Sequence, residues 1–435
     1  MISQRTDHVF EITLNQEVKD KLLGWAQQYQ EVLWLDSNGH NDAYGSYEAI
    51  LATDALTALK TDYHNAFDDL TEYYSASDDW IFGCLTYDLK NDLEHLSSQN
   101  HDGLGFPDLY FFRPKKLIFV YQDRLVFKYL PAVDDEITYD IDQINSFSIG
   151  QKELKAAPIK IKLRTTKDTY FERFDRIQHH IHRGDIFETN YCQEFYAISS
   201  DLDPVMAYKR LNSISKPPFA TFGKWGSHYL ASASPERYLS RKGSTIFSQP
   251  IKGTAKRGST PEEDSQIKNE LEHNQKERSE NIMITDLVRN DLSKVAIKGS
   301  VQVLEQCKVY TFEQVHQLIT TVTAQILPDT NPVQLLKATY PMGSMTGAPK
   351  VSAMKIAEQT EDFKRGLYSG TVGYIAPNGD FDFNVIIRSI LYNANNGYTS
   401  FAVGGAITAA ANALDEYEEC LLKAKAMRQV LEEKS

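Results

Sequence analysis

The sequence predicts a mixed α/β fold, and three kinds of observation carry that expectation. Stretches with helical apolar spacing alternate with short strand-like runs along the chain. Helix start and stop signals are explicit at several points. A hairpin signal, Asn378-Gly379, separates the strand-like runs 371–376 and 381–392.

Taken in order, residues 16–30 read as a helix, and 116–121 and 125–129 as strands. The polar stretch 151–159 (QKELKAAPI) is a natural connection, so an accessory segment is expected over 1–150 and a catalytic one over 151–435. Residues 168–183 have helical spacing and stop at Gly184. A strand at 228–232 leads into Ser234-Pro235-Glu236-Arg237. Thr260-Pro261-Glu262-Glu263 combines a capping box with proline at the first helical position, so a helix should begin there. Residues 276–291, 351–358 and 414–433 also read as helices. No fixed-period repeat or low-complexity tract is present.

The 435 residues suit about three domains or one large unit with additions, with ample chain for a core. At 42% hydrophobic and 24% charged, the balance is that of a globular protein. The net charge of −13 comes without the basic stripe that displaces counterions from phosphates, so nucleic acid is not an expected partner. Cys84, Cys192, Cys307 and Cys420 are far apart and form no CxxC pair, which argues against a disulfide framework. The first fourteen residues hold no apolar signal core, and no run reaches the ~18 apolar residues of a membrane span. A cytoplasmic location away from membranes is expected.

Three constellations carry chemistry. Glu277 and Glu280 share one side of the 276–291 helix, which continues through Ile284, Leu287 and Val288. The last helix repeats the arrangement with Glu416 and Glu419 ahead of Lys423 and Met427. Carboxylates leading an apolar stripe are costly unless a cation compensates them, and magnesium prefers such hard oxygen ligands. A solvated helix face is the alternative. Second, the small-residue loop 343–350, with Thr346 and Gly347, and the pair Gly404-Gly405 let backbone amides approach an anion; ordinary glycine turns would look the same.

The third is Lys252, between Pro250-Ile251 and Gly253. An ordinary lysine near pKa ~10.4 needs about 4.6 kcal/mol to serve as a free amine at pH 7. Nearby Lys256 and Arg257, with partial burial, are expected to lower that cost. A surface lysine is the plain alternative.

Together these residues resemble the chorismate-binding enzymes: anthranilate, aminodeoxychorismate, isochorismate and salicylate synthases. The resemblance covers roughly residues 155–430. It rests on SPERY at 234–238, ERSENIMITDLVRND at 277–291, PMGSMTGAPK at 341–350, RGLYSGTVG at 365–373 and GGAITAAANALDEYEECLLK at 404–423. It implies a large sandwich of two mainly antiparallel β-sheets flanked by helices, with the site in a cleft. It further implies that Glu280 and Glu419 hold Mg2+, with Glu277 and Glu416 beside them. Tyr368, Arg388 and Lys423 would grip a carboxylate of chorismate, helped by backbone near Gly405, with Thr346 and Gly347 lining the cleft.

Lysine in PIKGT resembles the aminodeoxychorismate synthase component I branch, where it adds to ring C2 and Glu236 protonates the departing C4 hydroxyl. Ammonia would come from a separate glutamine amidotransferase subunit, and no fused lyase segment is expected. Anthranilate synthase component I is the near alternative, and a non-catalytic chorismate-binding subunit the further one. Isochorismate and salicylate synthases carry a water-activating lysine where this chain has Glu188, which disfavours water addition and makes Glu188 a candidate for positioning ammonia. Relatives often have histidine where Gln317 stands. His316, one residue earlier, points elsewhere and cannot replace it.

Overall fold

A computed structural model describes residues 5–40, 47–148, 158–313 and 315–433. Twenty strands form one hydrogen-bonded network. Their ladders are antiparallel. The α/β class and antiparallel strands are as expected, but the two expected sheets are continuous with each other. Register shifts interrupt several ladders, as between Ile251 and Thr254, and such bulges bend and twist the strands.

Segment 1–150 is built into this network. Strand Glu31–Asp36 pairs with Ala49–Thr61 on one side and with Phe219–Trp225 on the other. Strand Ile81–Leu85 pairs with Thr371–Ile375. Its edges are thus satisfied by strands from beyond residue 200, so residue 150 does not divide the hydrogen-bonded sheet. The expected connection 151–159 lies, up to residue 157, outside the described residues.

Alternation along the strands feeds two cores. Val32 and Trp34 enter a cluster with Leu22, Ile141 and Met427, which come from covering helices. Leu33, between them, points into a second cluster with Phe82, Phe111, Leu230 and Phe383, which is largely strand-on-strand.

Local signals were obeyed closely where they were strongest. Helix Lys167–Arg183 is capped by Thr166, whose side chain accepts from Thr169 N, and stops at Gly184, with φ 85°. Helix Pro261–His273 starts behind Thr260, which accepts from Glu263 N at 3.2 Å. The return bond of that cap goes to Ser259 N rather than to Thr260 N. Elsewhere the structure departs from expectation. The helix expected over 16–30 is Gln16–Ala26, because the chain must turn before strand Glu31–Asp36. The run 381–392 splits into Phe381–Asn384 and Ser389–Asn393. Between them Arg388 adopts a left-handed φ of 53°.

Phe222 is fully buried and sits opposite Trp34 on one neighbour and Ala231 on the other. Phe222→Ala should remove about 3–5 kcal/mol. Urea unfolding followed by fluorescence and by circular dichroism should shift with one shared midpoint. Separate midpoints for the two signals would contradict a single cooperative sheet.

Candidate active site

The cleft is assembled from distant parts of the chain. Lys252 lies on strand Ile251–Lys256, and helix Gln275–Ser293 packs beside that strand. Because successive strand residues face opposite ways, Ile251 and Lys252 serve different spaces. Ile251 lines a cavity of about 860 Å³ that also touches Asp36, Tyr47 and Arg237. None of the expected site residues lines that cavity, so its size does not mark the chemistry. The charges that act on Lys252 are instead those of Glu188, Glu280, Glu236 and Glu419.

A lysine links the two acidic helices. Lys276 Nζ lies 3.2 Å from Glu416 Oε1 and 3.9 Å from Glu280 Oε1, linking helix Gln275–Ser293 to helix Ala413–Glu432. Two glycines make room for the carboxylates. A Cβ on Gly405 would fall 2.8 Å from Glu416 Oε2, and one on Gly253 would fall 3.1 Å from Glu277 Oε2. Burial first, then neighbouring carboxylates, raises Glu277 and Glu416 above the ordinary range. Glu280 is pushed up to about 7, mainly by burial. Burial acts the same way on Glu419, but Lys423 at 2.7 Å, with Lys276 and Lys252, outweighs it and holds Glu419 low.

Glu277, Glu280 and Glu416 stay raised despite the neighbouring lysines, and a hard divalent ion suits that donor set. Among the described residues no three metal-ligating side chains converge as a ready cage. Magnesium usually keeps several waters and takes one or two carboxylates plus substrate oxygens, so the residues present fit it.

On the other wall, Arg388 faces Tyr368 and Glu419, and burial draws its guanidinium below its usual value. The Tyr368 hydroxyl is buried and donates to Cys192 Sγ at 3.7 Å. Lys423 also donates to Gly404 O at 2.9 Å. Thr346 is buried, with its hydroxyl donating to Gly343 O at 3.1 Å. Gly347 pairs with Thr189, and a Cβ there would lie 2.3 Å from Glu188 O, so only glycine lets this loop close on its neighbour. Glu236 is buried between two strands and pushed up to about 7 by that burial, although Ser344 and Lys252 pull in the opposite direction.

The expected electrostatics of Lys252 need correction. Burial pushes its ammonium down, but Glu188, Glu280, Glu236 and Glu419 together raise it above the ordinary lysine value. Lys256 is exposed, and Arg257 is committed to Asp264 at 2.7 and 2.8 Å, so neither acts on it. His316 is likewise committed, to Asp264 at 2.9 Å and Thr311 at 3.0 Å, while Gln317 keeps a buried, unpartnered Oε1.

Several supporting residues inside the quoted motifs had no role assigned from sequence. Arg365 bonds Glu361 at 2.6 and 2.8 Å and donates to Met345 O at 2.7 Å and Asn190 O at 2.8 Å. Lys350 joins Asp291 at 2.5 Å and Pro341 O at 2.8 Å. Buried Arg365 and half-buried Lys350 staple the 341–350 loop to the sheet and to the acidic helix. Their charge and motif position were visible in sequence, but their partners were not.

The architecture is shared with anthranilate synthase component I from Streptococcus pneumoniae TIGR4. That likeness has TM-score 0.77 at 24% identity and covers 89% of this chain and 94% of the other. The menaquinone-specific isochorismate synthase of Escherichia coli also aligns, with TM-score 0.75 at 15% identity over 99% of this chain and 95% of that one. A family model described as chorismate binding enzyme matches residues 21–429, and this chain belongs to that family. Among curated relatives, aminodeoxychorismate synthase of Streptomyces griseus is 35% identical over 375 residues, covering 81% of this chain and 50% of that protein. The chain thus spans about half of that relative's length. Aminodeoxychorismate synthase component 1 of Salmonella typhimurium is 33% identical over 80% of this chain and 76% of its own.

Arg365→Met should cost about 3–5 kcal/mol, because Glu361 is left as a buried, unpaired charge. Adding Glu361→Leu should recover a large part of that loss. A single variant within about 1 kcal/mol of wild type in urea unfolding would contradict the stapling role.

Proposed function

We propose that this chain aminates chorismate at C4, acting as an aminodeoxychorismate synthase component I, a transferase feeding 4-aminobenzoate and folate synthesis. The observation that carries the reading is Lys252, half-buried under the influence of Glu188, Glu236, Glu280 and Glu419 rather than on an exposed surface. The similarity to relatives named aminodeoxychorismate synthase supports the same branch.

Chorismate carries two carboxylates, and the cleft offers positive groups for them at separate places. Arg388, Tyr368 and Lys423 suit one carboxylate. Glu280 and Glu419, with Glu277 and Glu416 beside them, would hold Mg2+; when bound, it supplies a charge that neutralises the ring carboxylate. Lys252 Nζ adds to C2 while the C4–O bond breaks, and Glu236 delivers its proton so that water leaves. Ammonia then forms the C4–N bond as the C2–N bond to lysine breaks. The net change is chorismate plus ammonia to 4-amino-4-deoxychorismate plus water. The ammonia source is a separate glutamine amidotransferase subunit. Cys84 is not such a nucleophile, since burial drives its thiol well above the ordinary value.

Incubation with chorismate, ammonium and magnesium should give 4-amino-4-deoxychorismate by mass spectrometry, and Lys252→Ala should abolish it. Anthranilate with pyruvate as the product would favour the alternative branch, and binding without turnover, with a glutaminase present, a non-catalytic subunit. Glu236 must be protonated to donate, so turnover should fall as pH rises through about 7. Glu236→Gln should reduce kcat by roughly 10²–10⁴-fold and remove that limb from the profile.

A further inference from the structure

Just past strand Ile81–Leu85, the turn Thr86-Tyr87-Asp88 lies against the loop 365–370, which carries Tyr368. The two pieces continue the antiparallel course of the strands beyond their last pair, Leu85 with Thr371. They approach closely, since a Cβ on Gly370 would fall 2.3 Å from Leu85 O. Tyr87 N donates to Gly366 O at 2.8 Å, and Gly366 N donates to Asp88 Oδ2 at 2.9 Å. Consecutive residues of segment 1–150 thus take both backbone polar groups of Gly366. The Tyr87 ring also covers the Arg365 guanidinium, whose carbon lies 4.4 Å from the ring centroid.

Asp88 is only 1% exposed, and its other oxygen, Oδ1, is held by Lys90 at 3.3 Å and by the Ser98 hydroxyl. A buried ion pair is often no more stable than apolar packing in its place. Here the pair presents a charged acceptor to one amide, which makes a strong and directed bond. The loop so held is strained. Gly366 has φ 55°, and Ser369, which has a side chain, has φ 63°. Such conformations persist where surrounding contacts over-determine them. Ser369 N donates to Ile386 O at 2.9 Å and Ile386 N to Gly370 O at 2.8 Å, so the same loop also fixes the chain two residues before Arg388. Tyr368 and Arg388 therefore share one support.

We propose, resting on the reading of Tyr368 and Arg388 as a carboxylate grip, that Asp88 is a positioning residue for substrate binding. Through Gly366 it sets the loop that places Tyr368 and Arg388 against a carboxylate of chorismate. The bond joins residues 278 positions apart, so segment 1–150 shapes the site and does not merely extend the sheet. Lys252 stands on strand Ile251–Lys256, which pairs with Val315–Gln325 instead. Releasing the loop from Asp88 therefore loosens the grip and leaves the nucleophile on its own strand.

The test removes the acceptor without stranding a buried charge. Asp88→Ala/Lys90→Met takes away the ion pair and the acceptor, whereas Asp88→Asn/Lys90→Met takes away the ion pair and keeps a side-chain oxygen for Gly366 N. Chorismate consumption is followed at saturating ammonium and magnesium. The alanine double variant should raise KM for chorismate about tenfold or more with kcat within about threefold, and the asparagine one should stay within about twofold of wild type in both. Tyr368→Phe should itself raise KM, and in that background the gap between the double variants should shrink below about threefold. Gly366→Val displaces the same loop with the ion pair intact, because a branched side chain cannot keep φ 55°. It should raise KM in the same sense, and it carries the test if the alanine double variant does not fold. Equal KM values in the two double variants, a gap undiminished by Tyr368→Phe, or an unchanged KM in Gly366→Val overturns the proposal. If Tyr368→Phe leaves KM unchanged, the carboxylate-grip reading and this proposal fall together. If it raises KM while the double variants agree, this proposal alone falls.

Discussion

One ammonium set against four carboxylates, in a cleft walled by packed strands and helices, is the interaction on which the rest of the site depends. Their combined charge outweighs burial and raises the lysine above its ordinary value. The same closeness has a second consequence. Desolvation raises Glu236 and Glu280 to about 7, well above the ordinary carboxylate range.

The sheet makes that arrangement possible. Strand alternation turns Ile251 to one side and Lys252 to the other, so a side chain beside a roomy cavity is kept out of it. The break between Asn384 and Ser389 turns the chain at Arg388 and aims it toward Tyr368 and Glu419. Arg365 and Lys350 hold the glycine-rich loop in place by bonding its backbone carbonyls. Their charges are therefore structural. Segment 1–150 contributes strands to the same framework, so it stiffens the cleft through pairings such as Cys84 with Val372.

Much of this was legible in the sequence where the physics is local. Gly184 and Thr260 mark helix ends through bonds made within four residues, and both helices form there. The paired glutamates were visible because helical spacing places Glu277 with Glu280 and Glu416 with Glu419. The electrostatic state of Lys252 was not legible. Lys256 and Arg257 are its neighbours along the chain but not its partners in the fold, whereas Glu188 and Glu419 approach from far away in sequence. The bracing role of Arg365 was hidden for the same reason, since Asn190 lies 175 residues away. The continuity of the two sheets depends on long-range pairings that no local pattern reports.

The account turns on whether the Lys252 nitrogen forms a bond to the ring. The most direct measurement is peptide mass mapping after incubation with chorismate and magnesium but without ammonium, followed by acid quenching. The account predicts an adduct equal to chorismate less water on the peptide containing Lys252, discharged when ammonium is supplied before the quench. Amination proceeding at full rate through Lys252→Ala, with no adduct on the wild-type peptide, would contradict it.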